Sequence, residues 1–215
     1  MLGLILAAAA SVTAPASSAP SNPCQPAISC RYVADISLHD DKDVERKRTI
    51  NAWTPFKTKE GRLLLFPGEM VTLKLEKNGD FSVIAFSRPD RVPVDEKTRQ
   101  AITGRAREDV LLSAEPDGVM KAKDGEIMVF FGQLEHARQS LIRIENGYGQ
   151  ALSYKAFLSN VDGEYKPTSV CPLRPKGAAF EGWDYPNEVI LLSNFMLTDR
   201  GADRVILAEC DNGAS

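Results

Sequence analysis

Apolar and polar residues alternate along much of this 215-residue chain, and turn-forming dipeptides interrupt the alternation at short intervals. Alternation with a period of two places the apolar side chains on one face of a β-strand, so this pattern constrains the chain to form sheets. The clearest case is Asn78-Gly79, which lies between two alternating segments and is typical of a two-residue type I′ hairpin. That loop predicts a pairing in which Leu73 lies opposite Ile84 and Val71 lies opposite Phe86 on one shared face.

Other segments follow the same rule and predict further strands. The run from Met128 to Phe131 is apolar on both faces, which is typical of a strand in the middle of a sheet. Asn146-Gly147 and Asp162-Gly163 predict two more hairpins, and Pro67-Gly68 predicts a type II turn. The predicted strands cover residues 31–38, 48–53, 62–66, 70–76, 81–86, 110–114, 127–134, 140–145, 152–158, 165–170, 189–197 and 204–210.

Only one segment, Asp95 to Arg107, has the features of a helix. Acidic residues lie at its start and Arg105 and Arg107 lie at its end, which matches the helix dipole. Many short strands and one short surface helix predict an all-β fold, an antiparallel β-sandwich that spans residues 31–215. Two sub-domains divided near residues 115–125 are the alternative.

Two stretches of the chain are similar to segments of known proteins. The Pro67-Gly68-Glu69 turn and the stretch from Ile144-Glu145-Asn146 to Leu152-Ser153-Tyr154 resemble those of many immunoglobulin-like bacterial domains. The resemblance covers a few turns and implies a sandwich of immunoglobulin-like style, without identifying a family.

The first 30 residues contain no charged side chain. Their apolar core, Leu2 to Ala10, is shorter than the roughly 20 residues that span a bilayer, and Ala14-Pro15-Ala16 matches an A-x-A cleavage site. We expect residues 1–16 to be a secretory signal peptide and residues 17–30 a linker. The mature protein is then soluble, periplasmic or secreted, and without a membrane span. A disordered Ala/Ser/Pro tail is the alternative for this segment.

Four cysteines in an exported chain favour two disulfides over metal binding or free thiols. The sequence leaves three connectivities open. The preferred pairing joins Cys24 to Cys30, in a small loop within the linker, and Cys171 to Cys210, which ties the last predicted strand to the body of the domain. Reduced, buried cysteines are the alternative.

Charge and motifs argue against several function classes. The formal net charge of −3 disfavours nucleic acid as a partner, because binding to a phosphate backbone requires a basic domain. The sequence lacks H-E-x-x-H, G-x-S-x-G, P-loop and dinucleotide-binding glycine motifs, so it assigns no catalytic residue and no cofactor. The acidic run from Asp40 to Glu45 resembles a calcium loop, but Arg46 occupies the position that requires Gly, so no metal site is predicted.

The candidate ligand site is the segment from Phe180 to Pro186, which its Gly and Pro residues predict to be a loop. Trp183 and Tyr185 are suited to stacking on a sugar ring, and Glu181 and Asp184 are suited to binding its hydroxyl groups. The alternative is that Trp183 plugs the edge of the sandwich, since Trp is highly buried on average.

Two functions are compatible with these features. The first is an exported, non-enzymatic binding or structural module that presents loops to a protein or cell-envelope partner. The second is an exported glycan-binding protein or glycoside hydrolase that uses the loop from Glu181 to Tyr185. A hydrolase requires two facing carboxyl groups, about 5 Å apart in retaining enzymes and about 6.5 to 9.5 Å apart in inverting ones.

Intact-mass spectrometry of the purified, unreduced protein tests the expectations about export. We expect a chain that begins after Ala16 and lacks the two hydrogens that each of two disulfides removes. A chain that retains residues 1–16, or four thiols that react with iodoacetamide in the native protein, would contradict this prediction.

Overall fold

A computed structural model describes residues 30–39, 45–77, 79–88, 92–94, 112–114, 121–133, 140–159, 164–168, 170–183 and 187–198. Most of these residues form strands, and no helix occurs among them. In chain order the strands are β1 (Arg31–His39), β2 (Glu45–Thr54), β3 (Phe56–Lys57), β4 (Leu63–Leu65), β5 (Glu69–Leu75), β6 (Phe81–Ser87), β7 (Val92–Val94), β8 (Leu112–Ala114), β9 (Ile127–Gln133), β10 (Ser140–Asn146), β11 (Ala151–Ser159), β12 (Tyr165–Thr168), β13 (Ala178–Trp183) and β14 (Val189–Thr198).

Two five-stranded antiparallel sheets pack face to face. The front sheet has the order β13-β10-β9-β5-β6, and the back sheet has the order β12-β11-β14-β4-β3. Both contribute to one core, with Phe131 and Ile142 from the front sheet and Leu192 and Phe195 from the back. Burial of apolar surface, worth about 25 cal/mol per Å², is the main force that holds the sheets together. The described strands therefore form the β-sandwich that the alternation predicts.

The strand predictions are confirmed for most of the described chain. β9 is the middle strand of the front sheet, as its apolar run predicts. Both sheets combine strands from before and after residues 115–125, since β5 pairs with β9 and β4 pairs with β14. The sequence did not predict β3, β7 or β13, and β7 pairs with β8 in parallel. The predicted helix from Asp95 to Arg107 and the last predicted strand lie outside the described residues.

The two turns that flank β5 differ in how well they were predicted. The Pro67-Gly68 turn has the expected form, because Gly68 has a φ of 83° and the N–H of Glu69 donates to the carbonyl oxygen of Phe66. The turn after β5 is one residue longer than a type I′ loop. There the N–H of Gly79, which has a φ of 81°, donates to the carbonyl of Glu76.

A longer turn and a bulge in β6 together decide the register of the β5–β6 hairpin. The extra turn residue shifts the pairing next to the loop, so Leu73 lies opposite Val83 rather than Ile84. β6 then contains one extra residue at Ile84, and beyond this bulge Val71 lies opposite Phe86, as the sequence predicts. Ile84 is exposed as a result, with 40% of its surface accessible. Alternation alone does not show the length of a turn or the place of a bulge, so the predicted partner of Leu73 was wrong, whereas the predicted partner of Val71 is confirmed.

Asn146-Gly147 is a corner between the two sheets and not a hairpin. β10 pairs with β9 and β13, whereas β11 pairs with β12 and β14, so the chain crosses from front to back at this dipeptide. The side chain of Asn146 accepts a hydrogen bond from the N–H of Tyr148 and donates to the carbonyls of Gln150 and Arg174. The predicted hairpin was wrong because these side-chain bonds stabilise a wider loop.

Gly147 is required at this corner because another segment of backbone lies against it. A Cβ built at this position would lie 2.0 Å from the carbonyl oxygen of Lys123 and 2.7 Å from that of Glu126. Both of these oxygens belong to the backbone, which cannot rotate away as a flexible side chain can. The crossing therefore depends on a residue without a side chain.

The β1–β2 ribbon packs on the outer face of the back sheet, where Val33 joins a small apolar cluster with Val189. A buried carboxylate fixes the end of the ribbon. Glu69, at the start of β5, accepts hydrogen bonds from Arg31 Nε at 2.8 Å and from Thr54 Oγ1 at 2.6 Å. The other carboxylate oxygen accepts the N–H of Phe66 at 2.9 Å. Because Glu69 is fully buried, losing Arg31 and Thr54 would leave its charge poorly compensated.

Cys30 and Cys171 are the two cysteines among the described residues. Neither is a free thiol, and they do not lie at disulfide distance from each other. Cys24, Cys210 and the predicted signal peptide lie outside the described residues, so the preferred pairing stays a prediction. Within the described ranges, no helix is long and apolar enough to cross a membrane.

Replacing Gly147 with Ala should lower the free energy of unfolding by about 1 to 3 kcal/mol or more, because the new methyl group would overlap two backbone oxygens. Urea unfolding followed by circular dichroism measures the change. Gly149→Ala is the matched control, since a Cβ there meets nothing within 4 Å, and it should change stability by less than about 0.5 kcal/mol. Equal stabilities of the two variants would contradict the close approach of the Lys123 and Glu126 backbone to Gly147.

Candidate functional site

The structure places the first four of the seven residues of the predicted ligand segment in a strand. β13 is an edge strand of the front sheet and includes Glu181 and Trp183. The prediction of a loop was wrong over these residues because Gly182, taken as a turn residue, pairs with Leu141 inside the sheet. Asp184 and Tyr185 lie outside the described residues.

Glu181 and Trp183 both bond across the sandwich to the back sheet. Trp183 packs against the core, and its Nε1 donates to Thr168 Oγ1 at 2.9 Å. The Glu181 carboxylate lies 3.4 Å from the Tyr154 hydroxyl and 3.4 Å from the backbone nitrogen of Cys171. The two residues therefore join the sheets at this edge.

Glu181 is a titratable group within this contact. Burial raises the pKa of Glu181 above its ordinary value of 4.5, while hydrogen bonds from the Cys171 N–H and the Tyr154 hydroxyl act in the opposite direction. Burial, followed by the charge of Glu181, also raises the pKa of Tyr154. The hydroxyl of Tyr154 therefore remains a donor to the carboxylate over the physiological range of pH.

A pocket of about 340 Å³ lies at one end of the front sheet, beside the last residues of β10 and the first of β13. This volume falls within the range of small-molecule sites, about 300 to 1,000 Å³. Three segments surround the pocket: the first loop (residues 121–126), the second loop (residues 146–150) and the third loop (residues 174–177). The polar and charged residues that line the pocket are Lys121, Arg143, Glu145, Asn146 and Lys176.

A buried ion pair lines the pocket. Arg143 and Glu145 are two residues apart on β10 and therefore point to the same face, where Arg143 Nη2 donates to Glu145 Oε1. Both side chains are more than nine-tenths buried. The other carboxylate oxygen accepts the N–H of Ala122 at 2.9 Å, which holds the first loop against the strand. Removing one member of such a pair typically costs about 3 to 5 kcal/mol.

Backbone hydrogen bonds join the first loop to the second. The N–H of Gly125 donates to the carbonyl of Gly147 at 3.1 Å, and the N–H of Gly147 donates to the carbonyl of Glu126 at 2.8 Å. This reciprocal pair of bonds is possible because Gly147 lets the two backbones approach closely.

Two more backbone bonds join the second loop to the third. The N–H of Asn146 donates to the carbonyl of Gly177 at 2.8 Å, and the N–H of Lys176 donates to the carbonyl of Tyr148 at 3.0 Å. Tyr148 in turn accepts the N–H of Leu75 at its hydroxyl, which ties the second loop to β5. The walls of the pocket are thus fixed before a ligand arrives, and this lowers the entropic cost of binding.

Two lysines lie beside this ion pair. Lys176 Nζ lies 2.5 Å from the carbonyl oxygen of Gly147 and 2.5 Å from Asp124 Oδ1. The hydrogen bond from Lys176 lowers the pKa of Asp124. Lys121 is exposed and forms no ion pair with another described residue. The charged side chains that line the pocket are therefore three cations and one carboxylate.

Sequence reasoning did not find this pocket. Its charged residues are far apart in the chain, so only the folded structure brings them together. One signal was present, because Arg143 and Glu145 lie at alternate positions of a predicted strand, where buried charges occur almost only in pairs. The described residues contain no group of three or more side chains that could hold a metal ion.

No protein-family model, curated protein or solved structure matches this chain. Function is therefore inferred from the fold, from the contacts of Glu181 and Trp183, and from the pocket. Together these define an all-β sandwich protein with a preorganised, charged pocket at one end of its front sheet.

Glu181→Gln should make the stability of the protein less dependent on pH. The raised pKa means that the folded protein holds the Glu181 proton more tightly than the unfolded chain does, so the stability that Glu181 contributes is greatest below pH 4.5 and falls as pH rises through the folded-state pKa. Tyr154→Phe removes a donor to the carboxylate and should make this fall steeper. Melting temperatures between pH 4 and 8 test both variants, and an unchanged pH profile for Glu181→Gln would contradict the assignment.

Proposed function

We propose that this chain is an exported, non-enzymatic binding module that holds a protein or cell-envelope partner at the pocket between the first, second and third loops. The single observation that carries the proposal is the preorganisation of the pocket by a buried ion pair and by four backbone bonds between loops. Binding residues are commonly found on loops that a rigid scaffold positions.

Export to the periplasm or the cell exterior is part of the proposal. It is supported by the uncharged leader with its A-x-A pattern and by the even number of cysteines. The absence of a free thiol at Cys30 and Cys171 is what an oxidising compartment would produce. The immunoglobulin-like style belongs to the same proposal, because such sandwiches present loops at their ends.

The pocket supports partner binding better than the Glu181 segment supports sugar hydrolysis. A hydrolase would need the Glu181 carboxyl to face a sugar together with a second carboxyl. Glu181 instead contacts Tyr154 and the backbone of Cys171 between the sheets, and Trp183 bonds to Thr168.

Lys121→Glu should weaken binding of the purified protein to isolated cell envelopes, because it reverses the charge at the edge of the pocket. The fraction of protein that cosediments with the envelopes measures this effect. Lys155→Glu is the matched control, since Lys155 is an exposed residue of β11 in the opposite sheet and the change in net charge is the same.

The expected result is loss of cosedimentation for the pocket variant and wild-type behaviour for the control. Equal binding by wild type and both variants, or equal loss in both, would show that the pocket is not where the partner is held. Matching circular dichroism spectra of the three proteins establish that each is folded.

A further inference from the structure

We infer that the pocket binds an oxyanion, a phosphate or carboxylate group carried by the ligand. This inference rests on the proposed function and adds the chemistry of what is bound. The chain as a whole has a formal net charge of −3, yet three cations and one carboxylate line the pocket. Including Asp124, which pairs with Lys176, the local balance is still positive. The pocket therefore attracts an anion, although the protein as a whole is negatively charged.

Both acidic groups at the pocket already have partners. Glu145 accepts hydrogen bonds from Arg143 and from the N–H of Ala122, one at each carboxylate oxygen. Asp124 is paired with Lys176. Because these contacts compensate the negative charges, the pocket does not favour a cationic ligand.

The two lysines retain donors for a ligand. An ammonium group has three N–H donors, and Lys176 uses two of them, for Gly147 and Asp124. Lys121 makes no hydrogen bond with another described residue and keeps all three. Since Lys121 belongs to the first loop and Lys176 to the third, an oxyanion between them would receive donors from two separately anchored loops.

The size of the pocket indicates what the oxyanion is attached to. A volume of about 340 Å³ corresponds to roughly ten water molecules at about 30 Å³ each, more than a single phosphate or carboxylate displaces. The remaining space, which Asn146 and the backbone at Gly147 border, is available to the group that carries the anion. The ligand class is thus a small organic phosphate or carboxylate, or such a group at the end of a larger partner.

Isothermal titration calorimetry with inorganic phosphate and with succinate tests the inference on the full mature protein. We expect at least one probe to bind, and binding to weaken as sodium chloride is added. Lys121→Met should weaken it about tenfold, since a charge-assisted hydrogen bond contributes on the order of one factor of ten in affinity. Lys155→Met, which removes the same charge from the opposite sheet, should leave binding unchanged.

The two probes separate the possible sources of the anion. Preference for phosphate identifies a phosphorylated ligand, and preference for succinate identifies an acidic one. Absence of binding by both probes at millimolar concentration, or equal binding by wild type and Lys121→Met, would overturn the inference. If envelope binding depends on Lys121 while neither probe binds, the proposed function holds and the oxyanion assignment fails. If probe binding depends on Lys121 while the protein does not bind envelopes, the oxyanion assignment holds and the proposed function fails.

Discussion

The close approach of two backbone segments at Gly147 is the constraint on which both the sandwich and the pocket depend. At this residue the chain leaves the front sheet and enters the back one, and the first loop lies against it with no room for a Cβ. Because the same contact contributes the hydrogen bonds between the first and second loops, the topology of the fold and the shape of the pocket have one physical origin.

The buried carboxylates of Glu69 and Glu145 lie towards opposite ends of the front sheet, and each holds a neighbouring segment in place. Glu69 connects the β1–β2 ribbon to the front sheet through Arg31 and Thr54, and Glu145 fixes the first loop through Ala122 while it pairs with Arg143. Moving the ribbon along the front sheet would separate Glu69 from Arg31 and Thr54, and moving the first loop would remove the Ala122 donor from Glu145. Either displacement leaves a buried charge with fewer partners. Apolar burial provides the cohesion, and these contacts select one arrangement of the layers.

The sequence predicts the strands well because alternation and turn residues act locally. The central position of β9 and the turn at Gly68 follow directly from their residues. Pairing between distant strands is not local, which is why Asn146-Gly147 was misassigned as a hairpin. The bulge at Ile84 was missed because alternation does not show where a strand contains an extra residue. The pocket was not predictable because Lys121, Arg143 and Lys176 come together only through that non-local pairing. The alternative that Trp183 plugs the edge of the sandwich agrees with its packing against the core, whereas nothing local indicated that Glu181 bonds across the sandwich.

Amide hydrogen exchange measured by NMR tests the Gly147 contact most directly. The amides of Gly125 and Gly147 should exchange as slowly as those of the adjoining strand β10, because each donates to a carbonyl of the neighbouring loop. The amide of exposed Gly149, two residues away, should exchange rapidly and serve as the internal reference. Exchange at Gly125 and Gly147 as fast as at Gly149 would mean that the loops are not joined and that the pocket is not preformed.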